Sequence, residues 1–186
     1  EFEVVTAMAL LYFRDQKVDM AIIEVGIGGM YDATNVITPI LSLIASINFD
    51  HTAVLGNTLA SIAWHKAGIM KGNPAISTSQ QPEVRSVLRK KTEEVSSRLR
   101  FTSSREMKFL EVDGLHQKIR YDLRSGKSLT VRLSLLGIHQ MLNAGVVLHA
   151  AETLKEMGYG KISDPAIISA LEKVRWPGRM EVISRK

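Results

Sequence analysis

The stretch DMAIIEVGIGGMYDATN, residues 19–35, decides how this chain is read. An apolar run, Ala21-Ile22-Ile23, ends in one carboxylate, Glu24. Three glycines follow, Gly26, Gly28 and Gly29, and then Asp32, Thr34 and Asn35. A short apolar, β-branched run closed by glycines predicts a buried parallel strand entering a tight loop. In open α/β sheets, ligands sit outside the carboxyl ends of the strands. Glu24 therefore falls where such sheets do their chemistry, with glycine backbone able to approach a ligand closely.

The pattern recurs. Residues 41–48, LSLIASIN, form a second apolar run of strand length that ends in Asp50-His51, with Gly56 and Asn57 beyond. Two strands of one parallel sheet would place Glu24 and His51 on the same rim. A carboxylate, an imidazole and a second carboxylate converging there could hold a hard divalent cation. Mg²⁺ takes only one or two protein ligands and leaves its other positions to water and phosphate. The same spacing also fits two polar strand ends that only cap loops. A third element follows: Thr58 can cap a helix running to about residue 67, with Gly68 as its stop. Leu59, Ile62, Ala63 and Lys66 fall on one face of it. A lysine on an apolar stripe usually extends its ammonium outward. If buried, it loses charge more readily, and the neutral amine can take up CO₂ as a carbamate.

With these elements in view, the chain resembles the folylpolyglutamate synthase/dihydrofolate synthase family, a branch of the Mur ligase superfamily. The resemblance rests on EVGIGGMYDATNVI at 24–37, SINFDHTAVLGNTLASIAWHKAGIMK at 46–71, LLGIHQMLNA at 135–144 and WPGRME at 176–181, in that order. Phe2-Glu3 also fits the family's helix before the first strand. The likeness covers almost the whole chain and is weakest over residues 80–130. It implies an α/β fold: a three-layer, mostly parallel sheet flanked by helices, of the P-loop-NTPase-like Mur ligase central-domain type, with an added antiparallel hairpin region. It implies an ATP-dependent ligase that phosphorylates a folate or dihydropteroate carboxylate. The amine of glutamate then attacks the acyl phosphate to give an amide.

The site residues implied by the resemblance are specific. Glu24 matches a Mg²⁺ ligand, His51 a ligand of a second Mg²⁺, and Lys66 the carbamylated lysine. Phe2, Asp32 and Ala33 match positions lining the pterin pocket. Gln140, Asn143 and Arg179 match positions that meet ATP. The implied partners are small molecules only: ATP, Mg²⁺, glutamate and the folate or dihydropteroate. Neither nucleic acid nor membrane is implied, and the parent is expected to be a cytoplasmic monomer. One departure stands out, because the family usually has arginine where this chain has Met30. Methionine cannot orient Asp32 by charge.

Physical chemistry supports these roles. Phosphoryl transfer to a carboxylate gathers several anions, which cations must neutralise. Gln140 and Asn143 are expected in the first turn of a helix beginning near His139, where free N–H groups favour phosphate. Arg179 follows a Pro-Gly turn and offers a planar fork. Read from spacing alone, these residues fit helix capping and a solvated charge better.

The sequence lacks G-x-x-x-x-G-K-[ST], the loop that cradles ATP phosphates. The family carries its phosphate loop upstream and continues beyond WPGRMEVI into a C-terminal domain. The resemblance thus implies a single central domain over residues 1–186, inactive alone. Composition agrees with one globular domain: 186 residues, 45% hydrophobic and 23% charged. With no cysteine there is no disulfide or thiolate chemistry. The net charge of +5 suits polyanionic small substrates and would also fit nucleic acid, and the basic stretch at 85–100 alternates with acids as a solvated helix face does.

The pattern predicts helices at 2–16, 58–67, 82–99, 139–157 and 164–174. It predicts strands at 19–25, 41–48 and 74–78, and hairpins around Asp113-Gly114 and Ser125-Gly126. A dinucleotide oxidoreductase is excluded, because Tyr31 stands at the third glycine position of G-x-G-x-x-G. Two rivals stay open: a peptidoglycan-precursor ligase of the same superfamily, and a non-catalytic interaction module of the same fold.

Overall fold

The computed structural model describes residues 1–124 and 126–178. In chain order its first elements are helix α1 (Phe2–Asp15), a 3₁₀ turn (Ala33–Val36), strand β1 (Ser42–Ile44), and helices α2 (Thr52–Leu55) and α3 (Leu59–Ala67). Strand β2 (Ala75–Ser77), helix α4 (Pro82–Glu94), strand β3 (Leu99–Phe101) and a second 3₁₀ turn (Ser104–Glu106) follow. Strands β4 (Met107–Asp113), β5 (His116–Asp122) and β6 (Ser128–Leu133) precede helices α5 (Ile138–Glu156) and α6 (Asp164–Lys173). The strands make a parallel sheet in the order β1-β2-β3 and an antiparallel sheet in the order β4-β5-β6. The mixed α/β architecture with an added hairpin region is borne out. The chain forms two compact units: Glu1–Ala75 with Gln80–Leu99, and Ile76–Ser79 with the residues from Arg100 on.

The first unit corrects three expectations. Residues 20–25 carry no strand, and Ile22 is 91% exposed. Apolarity alone does not make a strand; a ladder needs a partner alongside, and among the described residues none pairs with this run. The run at 41–48 is a strand only over Ser42–Ile44. Beyond it, the Gln80 amide stands in for a neighbouring strand: its Nε2 donates to the Ala45 carbonyl at 2.8 Å, and its Oε1 accepts from Ile47 N–H at 3.1 Å. Helix α4 stops at Glu94 instead of reaching residue 99. Ser96 takes φ 52°, the left-handed region, and turns the chain. Arg98 then accepts from Ala75 N–H at 2.8 Å, so ladder pairing claims the segment. Helix α4 still buries Val84 and Leu88 at helical spacing.

The second unit follows the sequence closely. Both turns carry glycine at positive φ, Gly114 at 65° and Gly126 at 80°, as tight hairpins require. Along β5, Gln117, Ile119 and Tyr121 point inward at every second position. Along β6, Leu129, Val131 and Leu133 do the same. These pack with Ala144, Leu148 and Ala151 of α5 and with Ile167 and Leu171 of α6 into one core.

Beside this core a buried histidine meets a partly exposed ion pair. His149 is fully buried, and its Nε2 lies 2.8 Å from Glu106 Oε2. Glu106 Oε1 in turn accepts from Arg100 Nη2 at 3.2 Å. Nδ1 of His149 has no hydrogen-bond partner among the described residues. A neutral ring with its proton on Nε2 satisfies the carboxylate and leaves only a bare lone pair in the apolar surround, which costs less than an orphaned N–H. Burial, aided by the Arg100 charge, pushes the His149 pKa down, against the pull of Glu106. Tyr121 packs edge-on against His149 and donates to Glu152 Oε2 at 2.9 Å.

The sign of the resulting pH dependence is fixed. The unfolded chain binds a proton at this histidine near its ordinary pKa of about 6.5, while the folded chain binds it only at lower pH. Stability is therefore complete above that pH and falls as the pH drops below it, by up to about 1.4 kcal/mol per pH unit. Urea midpoints at pH 8 and pH 5.5 check this. The drop should shrink in His149→Met, and an equal drop in that variant would assign it to other groups.

Candidate functional site

In the first unit, the glycine-rich loop is stitched to the carboxyl end of α3. Met30 N–H donates to the His65 carbonyl at 2.8 Å. The Asn35 amide donates to the Met30 carbonyl at 3.0 Å and the Gly68 carbonyl at 3.3 Å. The Lys71 ammonium donates to the carbonyls of Asn35 and Ile37, the latter at 2.8 Å. Gly68 ends α3 as foreseen, but in right-handed conformation, at φ −59°. Its glycine is explained by contact instead, since a Cβ there would lie 2.5 Å from Met30 Cα. The cap at the other end is borne out: Thr58 accepts from Ser61 N–H at 3.1 Å.

Asp32 organises the loop. Its Oδ2 accepts from Gly26 N–H at 3.1 Å and Ile27 N–H at 3.0 Å. Its Oδ1 accepts from Thr34 N–H at 3.0 Å and the Thr34 hydroxyl at 2.5 Å. Burial works to raise its pKa, yet these four donors outweigh it and hold the carboxyl below the usual range. Phe2 comes to the same place: a methyl on Gly26 would lie 2.8 Å from Phe2 Cζ and 3.1 Å from Asp32 Oδ2. Ala33 opens the 3₁₀ turn that Asp32 caps. The structure thus brings Phe2, Asp32 and Ala33 together, and it employs both Asp32 oxygens within the loop.

The cation-binding candidates are less concentrated. Glu24 is exposed, and it stands on the unpaired run rather than at a strand end. His51 caps α2, a one-turn helix the sequence reading missed, in left-handed conformation at φ 48°, ψ 38°. A non-glycine residue held there costs about 1–3 kcal/mol, and such outliers cluster at functional sites. Asp50 Oδ1 accepts the His51 N–H at 2.9 Å, and Asp50 Oδ2 lies 3.6 Å from His51 Nε2. Lys66 lies on the face of α3 that carries Leu59, Ile62 and Ala63 and is half-buried there, as a lysine that extends its ammonium outward is. Among the described residues no three His, Asp or Glu side chains form a metal-holding group, so the convergence of Glu24, Asp50 and His51 is not seen. An exposed carboxylate and a half-exposed imidazole fit an ion that keeps most of its shell of water and phosphate, as Mg²⁺ does. They do not fit an all-protein cage.

In the second unit, Gln140 is the third residue of α5, but Asn143 is its sixth and lies in the second turn, as it would even in a helix starting at His139. Asn143 Nδ2 donates to Gln140 Oε1 at 3.3 Å, so the two side chains act as a pair. Gln140 and Met141 N–H groups already bond the Gly137 carbonyl. The N–H groups left for a ligand in this turn are those of Ile138 and His139. Arg179 lies outside the described residues, as does Ser125 of the second hairpin turn.

Several residues that build these sites escaped the sequence reading. Asn35 and Lys71 hold the loop by hydrogen bonds to carbonyls, a role no periodicity reveals. Tyr31, Trp64 and His65 form a ring cluster, with the Trp64 and His65 centroids 5.1 Å apart. Adjacent aromatics at 64 and 65 were the available signal. No helix among the described residues is long and apolar enough to cross a membrane.

The family model for the Mur ligase middle domain matches residues 3–151. The dihydrofolate synthase/folylpolyglutamate synthase of Bacillus subtilis (strain 168) is 40% identical over 98% of this chain, which spans 43% of that protein. The apo form of the L. casei FPGS is 33% identical over 99% of this chain and 45% of its own, with a TM-score of 0.92. A solved FPGS–AMPPCP–folate complex is 33% identical over 97% of this chain and 44% of its own, with a TM-score of 0.87. The chain therefore spans less than half the length of the relatives it matches.

Two substitutions test the local geometry. Gly68→Ala forces a methyl against Met30 backbone and should destabilise by about 1–3 kcal/mol in urea unfolding. His51→Gly relieves the left-handed strain and should raise the melting temperature, by on the order of 1 kcal/mol of stability. A melting temperature that falls in His51→Gly would mean that the imidazole itself holds the turn together.

Proposed function

The chain belongs to the Mur ligase middle-domain family, and on that premise we propose that the protein carrying it is an ATP-dependent ligase that adds glutamate to a folate or dihydropteroate. One observation carries this reading: the likeness, over 97% of this chain, to a solved complex of FPGS with AMPPCP and folate. The peptidoglycan-precursor and non-catalytic readings have no comparable observation behind them.

The reaction sets the demands on the site. A carboxylate oxygen of the folate attacks the γ-phosphorus of ATP, and ADP leaves. The glutamate nitrogen attacks the resulting acyl carbon, giving a tetrahedral intermediate. Phosphate then departs with the acyl C–O bond broken, the nitrogen loses its proton, and the amide remains. Every species is an anion, so catalysis consists largely of positioning and charge neutralisation.

Within that scheme Glu24, His51 and Lys66 as its carbamate would hold Mg²⁺. That ion neutralises charge on phosphate oxygens when bound. The Asp32 carboxylate, held ionised by its four donors, fixes the loop from Gly26 to Thr34 in one shape. Phe2 and Ala33, beside it, would face the flat ring system of the substrate. Gln140 and Asn143 on α5, with Arg179, would meet the nucleotide. Lys66, half-buried on α3, would carry the carbamate. The work is assigned to the cytoplasm, where ATP and folates meet.

The test uses the full-length protein and measures glutamate-dependent ADP release. Glu24→Ala and His51→Ala should each lower kcat by roughly 10²–10³. Lys66→Ala should abolish ligation, with partial rescue by bicarbonate or short carboxylates. Lys66→Arg should not rescue, since it keeps a positive charge where a negative one is required. Wild-type rates in the first two variants would reduce those residues to loop caps, and a fully active Lys66→Arg would exclude the carbamate.

A further inference from the structure

Gln117 of β5 is 4% exposed, a polar side chain in the core of the second unit. Its alternation places it on the inward face with Ile119 and Tyr121. An amide there must find partners or carry a desolvation cost. It finds two, both on the link between β6 and α5: Nε2 donates to the Leu135 carbonyl at 2.6 Å and to the Gly137 carbonyl at 3.1 Å. Both amide protons are thus directed at the backbone that launches α5.

That backbone is unusual. Gly137 takes φ 104°, ψ 153°, a region open essentially to glycine, and caps α5 with no side-chain cap. Its carbonyl also accepts from Gln140 and Met141 N–H groups, so the atom Gln117 holds is the one that closes the first turn. The same link is tied at its other end, where the Ser134 hydroxyl donates to the Val174 carbonyl just past α6. In sequence, Val174 lies five residues before Arg179.

We infer that Gln117 is a positioning residue for nucleotide binding: it sets the start of α5 and hence where Gln140 and Asn143 present their side chains. The inference rests on the reading of Gln140 and Asn143 as the residues that meet ATP. Gln117 touches no substrate. An apolar residue would serve the core equally well, and the amide is explained by the two carbonyls it fixes. A shift of about 1 Å in such a support can cost as much as a hundredfold in rate.

The test is made in the full-length protein with Gln117→Met, which keeps length and removes both donors, and Gln117→Glu, which keeps shape but presents oxygen to the two carbonyls. The expected result is a KM for ATP raised about tenfold or more, with KM values for folate and glutamate within about twofold of wild type. Melting temperatures are read alongside to confirm folding. If a well-folded variant keeps the wild-type KM for ATP, or if all three KM values rise together, the inference is overturned. If neither variant folds, Gln117 supports the core as a whole and the inference is equally overturned. Gln140→Ala and Asn143→Ala separate the two levels. If they leave the KM for ATP unchanged, the underlying reading fails; if they raise it while Gln117→Met does not, only the positioning role fails.

Discussion

The first unit depends on one close approach, where the backbone of Met30 lies against Gly68 and donates to the His65 carbonyl at 2.8 Å. This contact ties the loop that carries Asp32 to the helix that carries Lys66. Two side chains support it. Asn35 donates to carbonyls on both sides of the contact, and Lys71 holds the segment that follows. The bond is made by backbone, so the side chain at position 30 needs no charge to make it.

A common device recurs through the molecule. Where a regular ladder or helix ends, a polar side chain takes over the hydrogen bonding of the backbone. Gln80 completes the pattern beyond β1, Asp32 gathers Gly26, Ile27 and Thr34, and Gln117 holds the entry to α5. Each satisfies groups that would otherwise be orphaned, and each does so in one geometry only. Regular structure supplies stiffness, and these side chains transmit it to the irregular segments on which the candidate site residues stand.

How much of this was legible in the sequence follows from what patterns encode. Alternation marked β5 and β6, and the two glycine turns marked their hairpins, because burial of one face imposes period two. Helix α3 was legible through Thr58 and its apolar stripe. The strand at 19–25 was misjudged because pairing is a property of neighbours and leaves no trace in the run itself. The shortened β1 and α4 failed for the same reason, since a side-chain amide and a ladder contact decided their ends. For the site, residue types were legible where motifs carried them, as at Phe2 and Asp32, which the structure brings together. Supports such as Gln117, Asn35 and Lys71 were not, because their partners are carbonyls, which every residue has.

The two units treat polar groups in opposite ways, and the difference bears on function. In the second unit, the buried His149 is bonded to Glu106, which pairs in turn with Arg100, and both of these are only partly exposed. An imidazole buried in this way must keep its partner, since any rearrangement leaves a buried polar group unpaired. In the first unit, Glu24 is exposed, His51 half-exposed and Lys66 half-buried, and His51 is held in a conformation that its own backbone disfavours. Groups that only stabilised the fold would gain from deeper burial and relaxed dihedrals. Groups that, as proposed, serve a hydrated ion and a phosphate could take neither. On the proposed reading, the left-handed backbone at His51, with Asp50 beside it, presents the imidazole to the ion as well as capping a turn.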